Sequence, residues 1–128
     1  MLRRTSAPEP VSKRRPDAEE TLHLVLARLD DMKAEDILTI DLRDKSSIGD
    51  YMVVSSGRSQ RHVGSVADRV VEDLHKAGIA ARIEGVPHCD WVLIDAGDVI
   101  VHLFRPEVRA FYNIEKIWSV EPPRRAMN

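Results

Sequence analysis

Residues 51–84 read YMVVSSGRSQRHVGSVADRVVEDLHKAGIAARIE, and this stretch decides the class of the fold. Tyr51–Ser56 is a short, mostly apolar run stopped by Gly57, which reads as a strand. Ser59 can cap a helix whose apolar stripe is Val63, Val66, Ala67, Val70, Val71 and Leu74. Gly78 sits where a left-handed residue closes a helix. Ala80–Glu84 then reads as the next strand. Strand, helix and strand in succession call for a right-handed parallel crossover, so the domain is α/β.

The flanking segments complete the order. Asp17-Ala18-Glu19-Glu20 is a cap with an acidic first turn. Leu22, Val25, Leu26, Leu29 and Met32 form the apolar face of a helix over 18–33. Ile37–Leu42 reads as a short strand of mixed burial, followed by a polar loop through Ser46, Ser47 and Gly49. After Glu84 come a loop holding Pro87, a strand at Trp91–Asp95, a hairpin through Ala96-Gly97 and a strand at Val99–Phe104. Pro106 opens a closing helix, broken near Asn113, that carries Phe111, Tyr112, Ile114, Ile117 and Trp118. The predicted order is α-β-β-α-β-β-β-α, a single small domain with a mixed sheet of about five strands and flanking helices. Three helices are too few to cover both faces, so part of one sheet face is left for a partner.

The 128 residues are 43% hydrophobic and 31% charged, a globular balance. A domain of this size buries roughly two-thirds of its unfolded surface. The single cysteine, Cys89, closes no intrachain disulfide and excludes a Cys-based zinc site, which suits a reducing, cytoplasmic setting. No uncharged run exceeds seven residues, far short of the roughly twenty that span a bilayer. Residues 1–16, with three prolines and five basic residues, read as a disordered basic tail. An Arg-rich start before Thr5 and Ser6 loosely suggests a transit peptide, but Glu9, the prolines and the missing amphipathic period favour a plain tail. The domain spans 17–120, and 121–128 is a second loose tail.

Charge sharpens the partner question. The chain carries −2 in all, residues 1–17 carry +3 and residues 121–128 carry +1, which leaves −6 for residues 18–120. Such a body repels a phosphate backbone and attracts a basic protein surface.

Five groups of residues invite chemistry. Arg58, Arg61 and His62 at the start of the second helix could meet an anion, but the Walker spacing is absent and solvated helix-start charges suffice. Asp90, Asp95 and Asp98 could suggest a metal, yet alternation puts Asp90 and Asp95 on opposite faces and Asp98 follows a turn, so no metal or cofactor is expected. His88, Cys89 and Asp90 make a poor nucleophile, because a neighbouring carboxylate opposes thiolate formation. His102 shares a face with Ile100 and Phe104 and reads first as a buried, hydrogen-bonded histidine. Trp91 and Tyr112 are two of only six aromatic residues. They read either as core or as an aromatic patch that Glu84, Asp90 and Asp95 would rim with acid.

Four segments then carry a resemblance: Lys45-Ser46-Ser47-Ile48-Gly49-Asp50, Ser59-Gln60-Arg61-His62-Val63, Asp90–His102 and Phe111–Trp118. Together, and in this order, they resemble the ribosomal silencing factor (Iojap) family over about residues 18–119. The resemblance implies a fold related to nucleotidyltransferases, often homodimeric. It also implies a translational repressor that binds the large ribosomal subunit through its ribosomal protein number fourteen and blocks joining of the small subunit when nutrients are short. Organelle relatives act in large-subunit assembly. It places Trp91 and Tyr112 at the family's contact positions, with Glu84 as a third and with Asp90, Asp95 and His102 in the same motifs. A nucleotidyltransferase needs a Gly-Ser turn followed by an Asp-x-Asp/Glu pair on a strand. Gly57-Arg58-Ser59 leads into a helix instead, so no enzyme, no membrane and no sequence-specific nucleic acid is expected.

Overall fold

Helix α1 (Ala18–Asp31) starts in a reciprocal capping box: Asp17 accepts from the Glu20 amide at 2.9 Å, and Glu20 accepts from the Asp17 amide at 2.9 Å. The structure, a computed structural model, describes residues 16–116. After α1 come β1 (Glu35–Asp41), β2 (Tyr51–Ser56), α2 (Gln60–Lys76), β3 (Arg82–Glu84), β4 (Trp91–Asp95) and β5 (Val99–Phe104). The chain closes with α3 (Pro106–Tyr112) and a 3-10 turn (Ile114–Lys116). The expected break falls at Asn113, whose φ of 49° is left-handed. The predicted tails lie outside the described residues, Pro16 excepted, as do Ile117 and Trp118.

The five strands form one mixed sheet in the order β1-β2-β5-β4-β3, in which only β2 and β5 pair in parallel. The parallel crossover expected through α2 is present, since β3 runs in the same direction as β2; it spans the sheet, with β3 at the far edge and β5 in the place next to β2. Burial explains the choice. β5 is six residues long and buried throughout, whereas β3 has three residues with exposed Arg82 and Glu84. A central position suits the first and an edge suits the second.

Alternation gives the sheet two unlike faces. Val53, Val92, Ile94, Val99, Val101 and Leu103 face α1 and α2, meeting Leu22, Val25 and Leu29 of one helix and Val63, Val66, Val70 and Leu74 of the other. Asp73 ties the two helices together by pairing with Arg28 across the gap and with Arg69 on its own helix at 3.1 Å. On the other face a smaller cluster, Ile40, Leu42, Met52, Val54 and Phe104, is met by Trp91, Val108 and Ile114. Register aligns Glu84, Leu93, His102, Val54 and Leu38 in one row across that face. Met52, Val54, Ile100, His102 and Phe104 on that face are buried, and among the described residues its exposed or half-buried positions, such as Leu38, Glu84, Trp91 and Leu93, lie away from the centre. The nucleotidyltransferase likeness rests on the family resemblance alone.

Candidate functional site

One end of the α3 face gathers four aromatic rings. Trp91 opens β4, and its ring lies 4.9 Å from that of Phe104 and 4.9 Å from that of Tyr112. Phe111 meets Tyr112 edge-on at 5.0 Å. Tyr112 is 52% exposed and Phe111 is 80% exposed, so this end of the sheet offers solvent a continuous aromatic surface. A shallow hollow beside it is lined by Asp90, Trp91, Glu107, Val108, Phe111 and Tyr112. On the other side of Trp91, a hollow of about 250 Å³ is lined by Glu84, Gly85, Trp91 and Leu93. Exposed Glu84 and Glu107 place negative charge on both flanks.

His102 is a partner of Trp91 inside the protein. It is 9% exposed, and the indole N–H donates to its Nδ1 at 3.0 Å. Burial pushes the His102 pKa down to about 4, so the ring is neutral at pH 7. A neutral ring that accepts at Nδ1 carries its hydrogen on Nε2. The last strand thus supplies a buried acceptor that fixes the pose of the tryptophan.

Asp90 also works inward. Its Oδ1 accepts from Gln60 of α2 at 3.0 Å and from Arg105 at 2.8 Å, and the Arg105 amide donates to its carbonyl at 3.0 Å. The Arg105 guanidinium, more than Gln60, holds the Asp90 carboxyl below its usual range. Asp95 lies on the face of Trp91 but four residues along β4, roughly 13 Å away at the ordinary strand rise. It accepts from the Gly97 amide at 2.9 Å, closing the hairpin, and approaches Arg82 at 3.5 Å. Trp91 therefore lies between Tyr112 on one side and Glu84 on the other; His102 braces Trp91, Asp90 braces the start of α3, and Asp95 sits apart.

Of the remaining candidates, Arg61 and His88 line an open hollow with Cys89, and the others find structural partners. Ser59 caps α2 by accepting from the His62 amide at 3.0 Å. His62 accepts from the Arg58 amide at 2.9 Å through Nδ1 and reaches the Met32 carbonyl at 2.8 Å through Nε2. It thereby staples the start of α2 to the end of α1. Asp98 accepts from the amides of Asp50 and Tyr51 through its carbonyl, joining the 45–50 loop to the β4–β5 hairpin. Cys89 is buried, and burial pushes its thiol pKa up. Among the described residues no group of three or more His, Cys, Asp or Glu could hold a metal ion. No helix among them is long and apolar enough to cross a membrane.

Phe111 went unnoticed as a surface residue in the sequence. The signal was present: neighbours on a helix point about 100° apart, so Phe111 and Tyr112 cannot both face the sheet. Arg105 and Arg109, which bind α3 to the body, carried no local signal for that role because the partners that anchor them there, Asp90, Asp36 and Ser56, lie farther away in sequence.

Comparison with known proteins agrees with the resemblance. The family described as ribosomal silencing factor during starvation (RsfS) matches residues 15–127. A ribosomal silencing factor from Zymomonas mobilis is 54% identical over 104 residues, covering 80% of this chain and 78% of that one. A crystal structure of a Chromobacterium violaceum protein matches with a TM-score of 0.80 at 37% identity, covering 84% of this chain and 91% of that one. A more distant relative is the mitochondrial assembly of ribosomal large subunit protein 1 of Mus musculus. It is 29% identical, with 80% of this chain matched to 47% of that protein. With the motif order, the five-stranded sheet and the long match in agreement, the chain belongs to the ribosomal silencing factor (RsfS, Iojap) family.

Proposed function

We propose that this protein is a cytoplasmic translational repressor that binds the large ribosomal subunit through ribosomal protein number fourteen and prevents the small subunit from joining. The observation that carries the reading is the exposed aromatic surface of Trp91, Tyr112 and Phe111, flanked by Glu84 and Glu107. A half-buried tryptophan held in place by His102, with Tyr112 and Phe111 exposed beside it, is what an interface hot spot needs. An acidic body favours encounter with a basic ribosomal protein over bare RNA. The reaction is association without turnover: occupation of a surface that the small subunit needs.

Sedimentation of purified large and small subunits with this protein tests the reading. Co-migration with the large subunit and loss of whole ribosomes are expected. Trp91→Ala and Tyr112→Ala should each weaken binding by about 2 kcal/mol while staying folded. If both keep parental affinity, the aromatic surface is not the docking site. The name of the mouse relative favours one alternative, a role in large-subunit assembly through the same contact. Co-migration with undiminished subunit joining would select that alternative.

A further inference from the structure

The docking surface proposed above rides on an element that cannot hold itself in place. Helix α3 has seven residues, none of them fully buried, and a helix of two turns is unstable alone in water. Its apolar attachment is slight: Val108 meets the small cluster, and Tyr112 leans on Trp91. Its N-terminus is tied by Arg105 to Asp90. The tie from the middle of the helix is Arg109.

Arg109 reaches three separate elements. Its Nη1 donates to the Asp36 carbonyl at 2.7 Å and to the Ser56 hydroxyl at 2.9 Å, and its Nε donates to Glu115 at 3.1 Å. These partners belong to β1, β2 and the 3-10 turn. The Arg109 side chain is only 13% exposed, which strengthens a charged contact relative to one in open water. β1 is shaped for this contact. Its register with β2 is interrupted between Glu35 and Leu38, and Asp36 has a φ of 50°. The irregularity leaves the Asp36 carbonyl outside the ladder and available to the guanidinium. The last turn is closed by the Asn113 amide, which donates to the Arg109 carbonyl at 2.7 Å.

We propose that Arg109 is a positioning residue of the docking surface: by fixing α3 on β1, β2 and the 3-10 turn, it sets the pose of Phe111 and Tyr112 against Trp91 and thereby the affinity for the partner. It acts before binding, through preorganisation, and need not touch the partner. A rigid donor fork can serve two strands and a carboxylate in different directions at once; the single ammonium of a lysine cannot. The inference rests on the docking reading above.

The test uses the full chain in a Trp118→Phe background, which leaves Trp91 as the sole tryptophan. Arg109→Lys keeps the charge beside Glu115 and removes the fork. Expected are an unchanged far-UV circular dichroism spectrum, a red shift of Trp91 emission as Tyr112 loosens, and an affinity for isolated large subunits lower by about tenfold, the order of cost of reordering two side chains on binding. Affinity within twofold of the parent overturns the inference. A lower affinity with unchanged Trp91 emission also overturns it, because Arg109 would then contact the partner directly. If Arg109→Lys fails to fold, Glu115→Gln supplies the same two readouts with smaller shifts, and no shift in either overturns the inference. Trp91→Ala separates the two levels. Binding lost there but kept in Arg109→Lys sinks this inference alone; binding kept in both Trp91→Ala and Tyr112→Ala sinks the docking reading and this inference with it.

Discussion

The two faces of the sheet solve different problems with the same strands. Against α1 and α2, the inward positions of β2, β4 and β5 carry Val53, Val92, Ile94, Val99, Val101 and Leu103, all buried. Against α3, the alternate positions carry a histidine, a serine and a partly exposed tryptophan beside fewer aliphatic residues. The first face is held by apolar area, which is non-directional and tolerant of small shifts. The second is held by directed contacts: Trp91 to His102, Asp90 to Arg105 and Arg109 to three partners. Directed contacts fix orientation with little apolar area, so aromatic rings can stay exposed without drifting. Stability belongs mainly to the first face and recognition to the second.

That division can be broken by experiment. The largest effect is expected on the covered face. Leu74→Ala should cost about 2–5 kcal/mol in urea denaturation, as for other buried leucines, while the folded fraction binds large subunits normally. A loss of affinity without a loss of stability would erase the distinction between faces.

Acid provides the next test. The folded-state pKa of His102 lies near 4 against an ordinary 6.5, so the folded protein resists a proton that the unfolded chain accepts. The contribution is whole above about pH 6.5, falls as pH drops below it, and reaches a loss of about 3 kcal/mol near pH 4. His102→Asn, which keeps an acceptor for the indole, should flatten this slope. The carboxylates of Asp41, Asp73 and Asp90 sit below their usual pKa, so their contributions are present above about pH 3.8 and fade only below it. A stability curve flat between pH 6.5 and 4 would contradict the buried Trp91–His102 pair.

Phe111 sharpens the comparison from the other side. At 80% exposure, Phe111→Ala should leave the unfolding free energy within about 0.5 kcal/mol of the parent. Binding to large subunits should weaken by about thirtyfold, a hot-spot-sized effect. Equal affinity would confine the docking surface to Trp91 and Tyr112. The smallest effect concerns Cys89, packed into the covered-face cluster. Its thiol should react with alkylating reagents far more slowly in the native protein than in urea at about pH 8. Equal rates would mean that this loop opens freely.

Much of the fold was legible in the residues because local rules set it. Asp17 and Ser59 name the two helix starts, Pro106 the third, and Asn113 the place where the last helix stops. Val63 through Leu74 declare the buried side of α2 by spacing alone. The sheet order was less legible. The choice between β3 and β5 as the neighbour of β2 depends on total burial along each strand, a comparison made only once all the strands compete for the centre. The site divides the same way: Trp91 and Tyr112 stood out by type and motif, whereas Asp90, His102 and Arg109 needed their partners in view to be read as supports.

By itself the sequence determined the α/β class, the element boundaries to within a few residues, the acidic body and the family, because each depends on neighbours along the chain or on composition. Tertiary structure alone decided that β5 lies beside β2, that Trp91 hands its N–H to His102, that Phe111 faces water and that Arg109 joins Asp36, Ser56 and Glu115. The physical reason is range. Caps and periodicity act over three or four residues, while a hydrogen bond between residues 73 positions apart exists only after the chain has closed on itself.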